Sequence, residues 1–381
     1  MTPTLNGKEV TIDMLVGNPF MRNIFETKDG RYAVLSAVYV DLVYKWTSFL
    51  GCSVAESDVR QKVKQLGSSC HRGWPANGPL PNGSIMGAHP QGSHLVKFPR
   101  VPVERHASSL SGAPPSPSPY LPANPTRPLS GLRVQCVTHA IAGPSMGRTL
   151  AEHGASVLQI MFTHGFEHTF VYTCANLGTA SSRLNLHKEA DRERLSTLVK
   201  DAHAWVDSYR DGAISKFGFS DDDSRSLNQS IILCRVRLYE NTGPWKSKSG
   251  FDMQGSASSG LMSLMSQDEG DGRPQWPPGI VINDYTTGYS AALAIQSIIL
   301  KRAKGEVDVG DGWLVSPSLR WLRYEVKVKD GASLTNIAQL QLLKPEGCAG
   351  AALVDRLLYS AFGLVSALDS ISASPLQRVS I

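Results

Sequence analysis

Between Gly131 and Met161 the spacing of apolar positions changes period twice. Leu132 to Val137 is a short β-biased run, and Ile141-Ala142-Gly143-Pro144 breaks it with a glycine and a proline. Met146, Leu150 and Ala151 then recur at helical spacing. Pro144 suits a first helical turn, where its missing N–H has no partner to lose, and Gly154 suits a left-handed cap beyond the last turn. Ala155 to Ile160 resumes as an apolar run of the kind buried in a parallel sheet. The spacing predicts a strand-helix-strand unit with a right-handed crossover.

Upstream, Phe25 to Leu35 sets Asp29-Gly30 between two β-biased arms, the signature of a hairpin. Asp41 to Leu50 puts Leu42, Val43, Trp46 and Leu50 on one helical face, and Glu56 to Leu66 is a second, polar helix. Downstream, Phe162 to Ser182 is poor in signals apart from β-biased Thr169 to Thr173. Leu184-Asn185-Leu186 reads as a short strand, Glu189 to Ala202 as a charged helix, Trp205 to Ala213 as strand plus turn, and Ile231 to Leu238 as a strand. Ser258 to Met265 and Ala351 to Leu368 have helical spacing, and Asp284 to Tyr289 introduces an apolar helix from Ser290 to Lys301. Alternating strands and helices predict an α/β protein, with a Rossmann-like parallel sheet in a large domain and a smaller α+β domain. Ala113 to Pro128 is rich in proline and predicts an extended linker. The division expected is 1–112 for a small unit, 113–129 for the linker, 130–330 for the large domain and 331–381 for a helical tail.

Composition narrows the function classes. A net charge of +5 over 381 residues, with basic residues scattered, lacks the clustered patch of a nucleic-acid binder and suits an anionic metabolite better. No apolar run approaches a membrane span without a charge, and neither a signal peptide nor a terminal Ser-Lys-Leu is present, so the expected location is cytoplasmic. The six cysteines are widely spaced without a C-x-x-C pair and read as reduced thiols. Neither a metal nor a tightly bound cofactor is expected.

Two short motifs are decoys. Gly143-Pro144-Ser145-Met146-Gly147 satisfies G-x-S-x-G between a strand and a helix, but a hydrolase of that kind needs a late histidine and none follows His203. His164-Gly165-Phe166-Glu167-His168 satisfies H-x-x-E-H, but Gly165 weakens the helix that would bring zinc ligands to one face.

The run Pro128 to Val134, then Ala142-Gly143-Pro144, then Gly147 to Ala155 resembles the opening of the large domain of class III CoA-transferases, the CaiB/BaiF family, and the likeness continues to about Arg323. Thr27 to Gly30 and His89 to Pro99 resemble the small domain of that family. In the family the large domain comes first, so this order looks permuted. Asp284-Tyr285-Thr286-Thr287-Gly288 matches the family's Asp-x-x-x-Gly motif, whose aspartate forms an acyl anhydride and then an aspartyl-CoA thioester. As a residue preceding a helix, Asp284 is expected near unpaired N–H groups that favour its ionised form. A simple helix N-cap is the alternative.

Related α-methylacyl-CoA racemases carry Gly-His-Asp where this chain has Gly250-Phe251-Asp252. Phenylalanine carries no proton, so two-base racemisation is disfavoured, and Asp252 is either an assisting acid or base or a solvated loop carboxylate. The resemblance sets Ala140, Ile141, Phe162, Leu184, His187, Ser208, Tyr209 and Lys216 against CoA. Phe162 stands where the family usually has an arginine, His187 where it has a lysine, and Lys216 where arginine is common.

The function expected is therefore acyl or CoA transfer through a covalent intermediate on Asp284, with a CoA thioester as co-substrate, a small acyl or carboxylate substrate, and an interlocked homodimer. Two alternatives stay open: a scaffold repurposed as an isomerase or cyclase of a non-CoA metabolite in secondary metabolism, and a non-catalytic relative paired with a competent partner.

Overall fold

The computed structural model describes residues 4–5, 8–9, 17–21, 23–67, 83–86, 101–107, 124–162, 169–243, 245–262, 273–277 and 281–320. Strands β1 (Thr4–Leu5) and β2 (Lys8–Glu9) form an isolated antiparallel pair. The expected hairpin is present as β3 (Phe25–Glu26) and β4 (Tyr32–Leu35). Helices α1 (Val40–Leu50) and α2 (Glu56–Gln65) follow, and β5 (Gly83–Met86) pairs with the free side of β4. Trp46 and Leu50 of α1 bury against Val59 and Val63 of α2, together with Phe20, Phe25 and Leu35. The Trp46 indole N–H donates to the Ser36 carbonyl at 3.0 Å, which satisfies its only polar atom inside this small core.

The large sheet comprises β6 (Val103–His106), β7 (Arg133–Val137), β8 (Ser156–Phe162), β9 (Ala180–Leu184), β10 (Ala204–Asp207), β11 (Ile232–Arg235) and β12 (Gly312–Val315). Its order is β6-β12-β11-β10-β7-β8-β9, and every pairing is parallel except that of β6 with β12. From β9 to β12 this is the doubly wound order in which the chain reverses direction across the sheet between β7 and β10.

The connecting helices are α3 (Ala142–Glu152), α4 (Thr169–Ala175), α5 (Glu189–Lys200), α6 (Asp221–Leu227), α7 (Asp252–Ser259) and α8 (Ile282–Ala303). Alternation along each strand feeds two cores. Val134, Cys136, Val206, Ile232 and Cys234 meet Met146 and Leu150 of α3 and Ile295 and Ile298 of α8. Val137, Trp205, Leu233 and Ile160 meet Leu195 and Val199 of α5. Each such fully buried aliphatic side chain contributes roughly 1.5–3 kcal/mol.

The unit from β7 to β8 matches its sequence reading, with Gly154 past the end of α3 at φ +103°. Other expectations are corrected. Thr169 to Thr173 lies in helix α4 despite its β-branched and aromatic side chains, because packing overrides propensity. The strand expected at Leu184 to Leu186 is Ala180–Leu184, whose first four residues are exposed at the sheet edge and give no apolar signal. The helix expected over Ser258 to Met265 is interrupted, since Ser258 and Ser259 close α7 and Gly260 caps it at φ +77°, and the helix expected from Ser290 begins at Ile282. The 331–381 tail, His89 to Pro99, His164 to His168 and most of the proline-rich stretch fall outside the described residues. Among the described residues no helix is long and apolar enough to cross a membrane.

Candidate active site

A parallel sheet parts its connecting loops where the winding reverses, and ligands settle there beyond the carboxyl ends of the strands. Here the loop after β7 carries His139, Ala140 and Ile141, and the loop after β10 carries Ser208 and Tyr209. The two are tied together, since the His139 N–H donates to Ser208 Oγ at 3.1 Å. A cavity of about 880 Å³ opens at this point, within the range of small-molecule sites. The N-terminal unit lines it through Tyr39, Val40 and Lys45, and the large domain also through Phe251, Gln254 and Asp284.

Of the positions expected to face CoA, Ala140, Phe162, Leu184, His187, Ser208, Tyr209 and Lys216 line this cavity. Ile141 does not line it; its carbonyl accepts the Ser145 N–H at 2.8 Å and starts α3. Where a cation was sought, the wall is aromatic. Phe162 stacks on Tyr209 with centroids 4.7 Å apart, and Tyr209 stacks on His139 at 4.5 Å. His187 meets Phe217 edge-on at 5.1 Å, and the Lys216 ammonium lies 4.8 Å from the same ring. Burial pushes the His139 imidazole down to about 4 against the pull of Asp207, so at neutral pH it is uncharged.

The carboxylates Asp252 and Asp284 come together although 32 residues separate them. Asp252 opens α7 and is 4 % exposed, so it is no loop carboxylate in solvent. Its Oδ2 accepts the backbone N–H of Asp284 at 2.9 Å, and its Oδ1 accepts Asn283 Nδ2 at 3.2 Å. The same Asn283 amide donates to Ser256 Oγ at 2.6 Å, which ties α7 to α8. Asp284 sits in the first turn of α8 rather than ahead of it, 8 % exposed, and lines the cavity. Among the described residues nothing donates to its carboxyl oxygens.

This arrangement reverses the expectation of a carboxylate stabilised by helix N–H groups. The N–H of Asp284 is spent on Asp252, so burial first and the neighbouring Asp252 charge second raise the Asp284 carboxyl well above the ordinary carboxylate range. Asp252 is raised too, by burial, but its hydrogen bonds from Asp284 and Asn283 oppose the shift. Asp252 is therefore the better anion of the two, and Asp284 the higher-energy one.

Two turns hold the site in sparsely populated backbone. Ala140 has φ +60° and Val281, which precedes α8, has φ +54°, the latter an outlier for a β-branched residue. α8 is pressed on α3 at Gly288, where a Cβ would meet Ser145 Oγ and lie 2.7 Å from the Ala142 carbonyl. Ser145 itself is buried and donates to Ala142 O at 3.0 Å, so it is a helix residue and no hydrolase nucleophile. Among the described residues no group of three His, Cys, Asp or Glu could hold a metal. Sequence reasoning missed Tyr39, His139 and Asn283. Asn283 adjoins the motif aspartate, but nothing in the local pattern marks the other two.

The chain is similar to known proteins of one family. A family model described as CoA-transferase family III matches residues 129–328. An acetyl-coenzyme A transferase of Hypoxylon pulicicidum is 33% identical over 227 residues, covering 58% of this chain and 37% of its own. A probable fatty acyl-CoA transferase of Mycobacterium tuberculosis is 28% identical over 198 residues, 49% of this chain and 50% of its own. The chain thus spans half the length, or less, of these curated relatives. A solved CAIB/BAIF family protein from Brucella suis aligns with a TM-score of 0.48 at 25% identity, over 59% of this chain and 60% of that one.

Proposed function

Because the chain belongs to CoA-transferase family III, we propose that it transfers coenzyme A between carboxylic acids, with Asp284 as the nucleophile that carries the covalent intermediates. The observation that carries this reading is a buried carboxyl on the cavity wall with no donor on its oxygens among the described residues and a second, fixed carboxylate behind it. A carboxylate so placed is poorly solvated and gains most by losing its charge to a covalent bond.

In the first step an Asp284 carboxylate oxygen attacks the thioester carbonyl of an acyl-CoA. The C–S bond breaks, CoA leaves as thiolate, and a mixed anhydride remains on Asp284. The thiolate then attacks the aspartyl carbonyl of that anhydride, releases the first acid as its carboxylate, and leaves an Asp284–CoA thioester. The acceptor carboxylate repeats the two steps in reverse order and departs as the new thioester, so no net proton is consumed. Asp252 takes no part in bond making; it holds the Asp284 backbone through its Oδ2. His139, uncharged, and Ser208 shape the loop beside the acyl carbon. The name of the Hypoxylon relative makes acetyl-CoA the first donor to test.

The experiment is mass spectrometry of the protein after incubation with acetyl-CoA. The expected result is an adduct that maps to the peptide containing Asp284 and is missing from Asp284→Asn, with that variant's melting temperature no lower than wild type. An adduct mapped to another residue, or turnover retained by the folded variant, would overturn the assignment.

A further inference from the structure

We infer that the acyl group accepted beside Asp284 is uncharged and apolar, and that half-thioesters of dicarboxylic acids are rejected. The inference rests on the assignment of Asp284 as nucleophile and adds a substrate class to it.

For the attack to occur, the thioester carbon must come within about 3–3.5 Å of an Asp284 oxygen, so the acyl chain takes up the space around that carboxyl. Three groups bear on it, one hydrogen-bonded to Asp284 and two that line the same cavity. The first is Asp252, an anion clamped by the Asp284 N–H at 2.9 Å and Asn283 Nδ2 at 3.2 Å, and thus unable to swing away from a second negative charge. The second is Phe251, the residue before Asp252, whose ring meets Tyr39 edge-on at 5.9 Å. The third is the Tyr39 hydroxyl, which is 3.4 Å from His139 Nδ1 and closes the ring of side chains from the N-terminal unit to the loop after β7.

Among the described residues no cation enters this ring. The groups that perturb the Asp284 carboxyl are burial and Asp252, and both act in the same direction. Lys216 lies against Phe217, and Arg210, on the loop after β10, is not among the groups that act on the Asp284 carboxyl. The other basic side chains that line the cavity are engaged elsewhere. Arg237 Nη2 donates to Asp207 at 2.7 Å, Lys45 pairs with Asp41 at 3.1 Å, and the Lys248 ammonium lies 4.8 Å from the Trp245 centroid. A carboxylate two or three carbons beyond the thioester carbonyl would lose its water, meet the Asp252 charge and find no counter-ion among the described residues that act on Asp284. An acetyl, alkyl or aryl group loses nothing there and gains contact with Phe251 and Tyr39.

The test follows Asp284 labelling of the wild-type chain by acetyl-, hexanoyl-, succinyl- and glutaryl-CoA at equal concentration. CoA is common to all four, so differences report the acyl group. The faster of the two uncharged thioesters should label Asp284 at least about tenfold faster than either charged one. Any smaller preference, or a reversed one, overturns the inference and leaves the covalent assignment standing. Label from none of the four removes the covalent assignment and the inference with it. Phe251→Arg, which sets a cation beside Asp252, should narrow the ratio at least about threefold; an unchanged ratio in a variant that melts like wild type overturns the placement of the acyl group at Phe251.

Discussion

Asp284 and Asp252 are buried carboxyl groups at close quarters, and we propose that their unequal hydrogen bonding selects Asp284 as the nucleophile. Asp252 has donors on both oxygens, whereas Asp284 has lost even its own N–H to its neighbour. A nucleophile of this kind works only when ionised, so the rate should climb as pH rises through the elevated Asp284 pKa. Asp252→Asn removes the charge that adds to the effect of burial. The acid limb of kcat/KM should then move to lower pH, by about one unit for each 1.4 kcal/mol of repulsion removed. A profile that loses height without moving along the pH axis would show that Asp252 acts only through the backbone of α8. Asp284 was legible from its short motif. Its partner was not, because Phe251-Asp252-Met253 reads locally as a loop, and only the packing of α7 on α8 makes that carboxylate a buried one.

Elements with a strong period were legible. The change from apolar alternation to helical spacing and back defined β7, α3 and β8, and apolar runs marked β10 and β11. The elements that failed are those whose structure comes from contact rather than pattern. The α7 sequence Asp-Met-Gln-Gly-Ser-Ala-Ser-Ser has poor helix formers, but it is almost entirely buried. α8 begins eight residues earlier than its apolar run because its first turns hold polar residues that are buried, Asp284 against the cavity and Asn283 and Thr287 against neighbouring segments. That placement depends on Gly288, where the α8 backbone lies against the α3 residues Ala142, Ser145 and Met146. Gly288→Ala forces a Cβ into the Ala142 carbonyl, 2.7 Å away, and neither backbone can yield without moving α8. The expected cost is about 1–3 kcal/mol in urea unfolding, with a fall in Asp284 labelling larger than stability alone explains, since Asp284 is one turn away. Wild-type labelling in this variant would show that the site tolerates a shift of the helix.

At the scale of the whole molecule, the proline-rich stretch does not coincide with the edge of the large sheet. We propose the division at residue 112 as a boundary in the chain, but β6 lies before it and completes the sheet after it. Val103–His106 runs antiparallel to Gly312–Val315 with four residues in register, and Arg105 pairs with Asp311, whose side chain is 2 % exposed. A chain beginning at residue 113 would leave the β12 edge open and remove the cation from a buried carboxylate. A chain beginning at residue 101 keeps both. Each of about four ladder hydrogen bonds contributes roughly 0.5–1.5 kcal/mol and the lost Arg105 contact roughly 1–3 kcal/mol, for a total of about 3–9 kcal/mol. At about 2–4 °C per kcal/mol for a domain of this size, the shorter chain should melt roughly 6–36 °C below the longer one and aggregate sooner. Both lack Tyr39 and with it the wall that the N-terminal unit supplies, so both should fail to label Asp284 with acetyl-CoA. Equal melting temperatures would make residues 103–106 dispensable to the sheet, and labelling by the longer chain would show that the large domain holds the acyl group without the N-terminal unit.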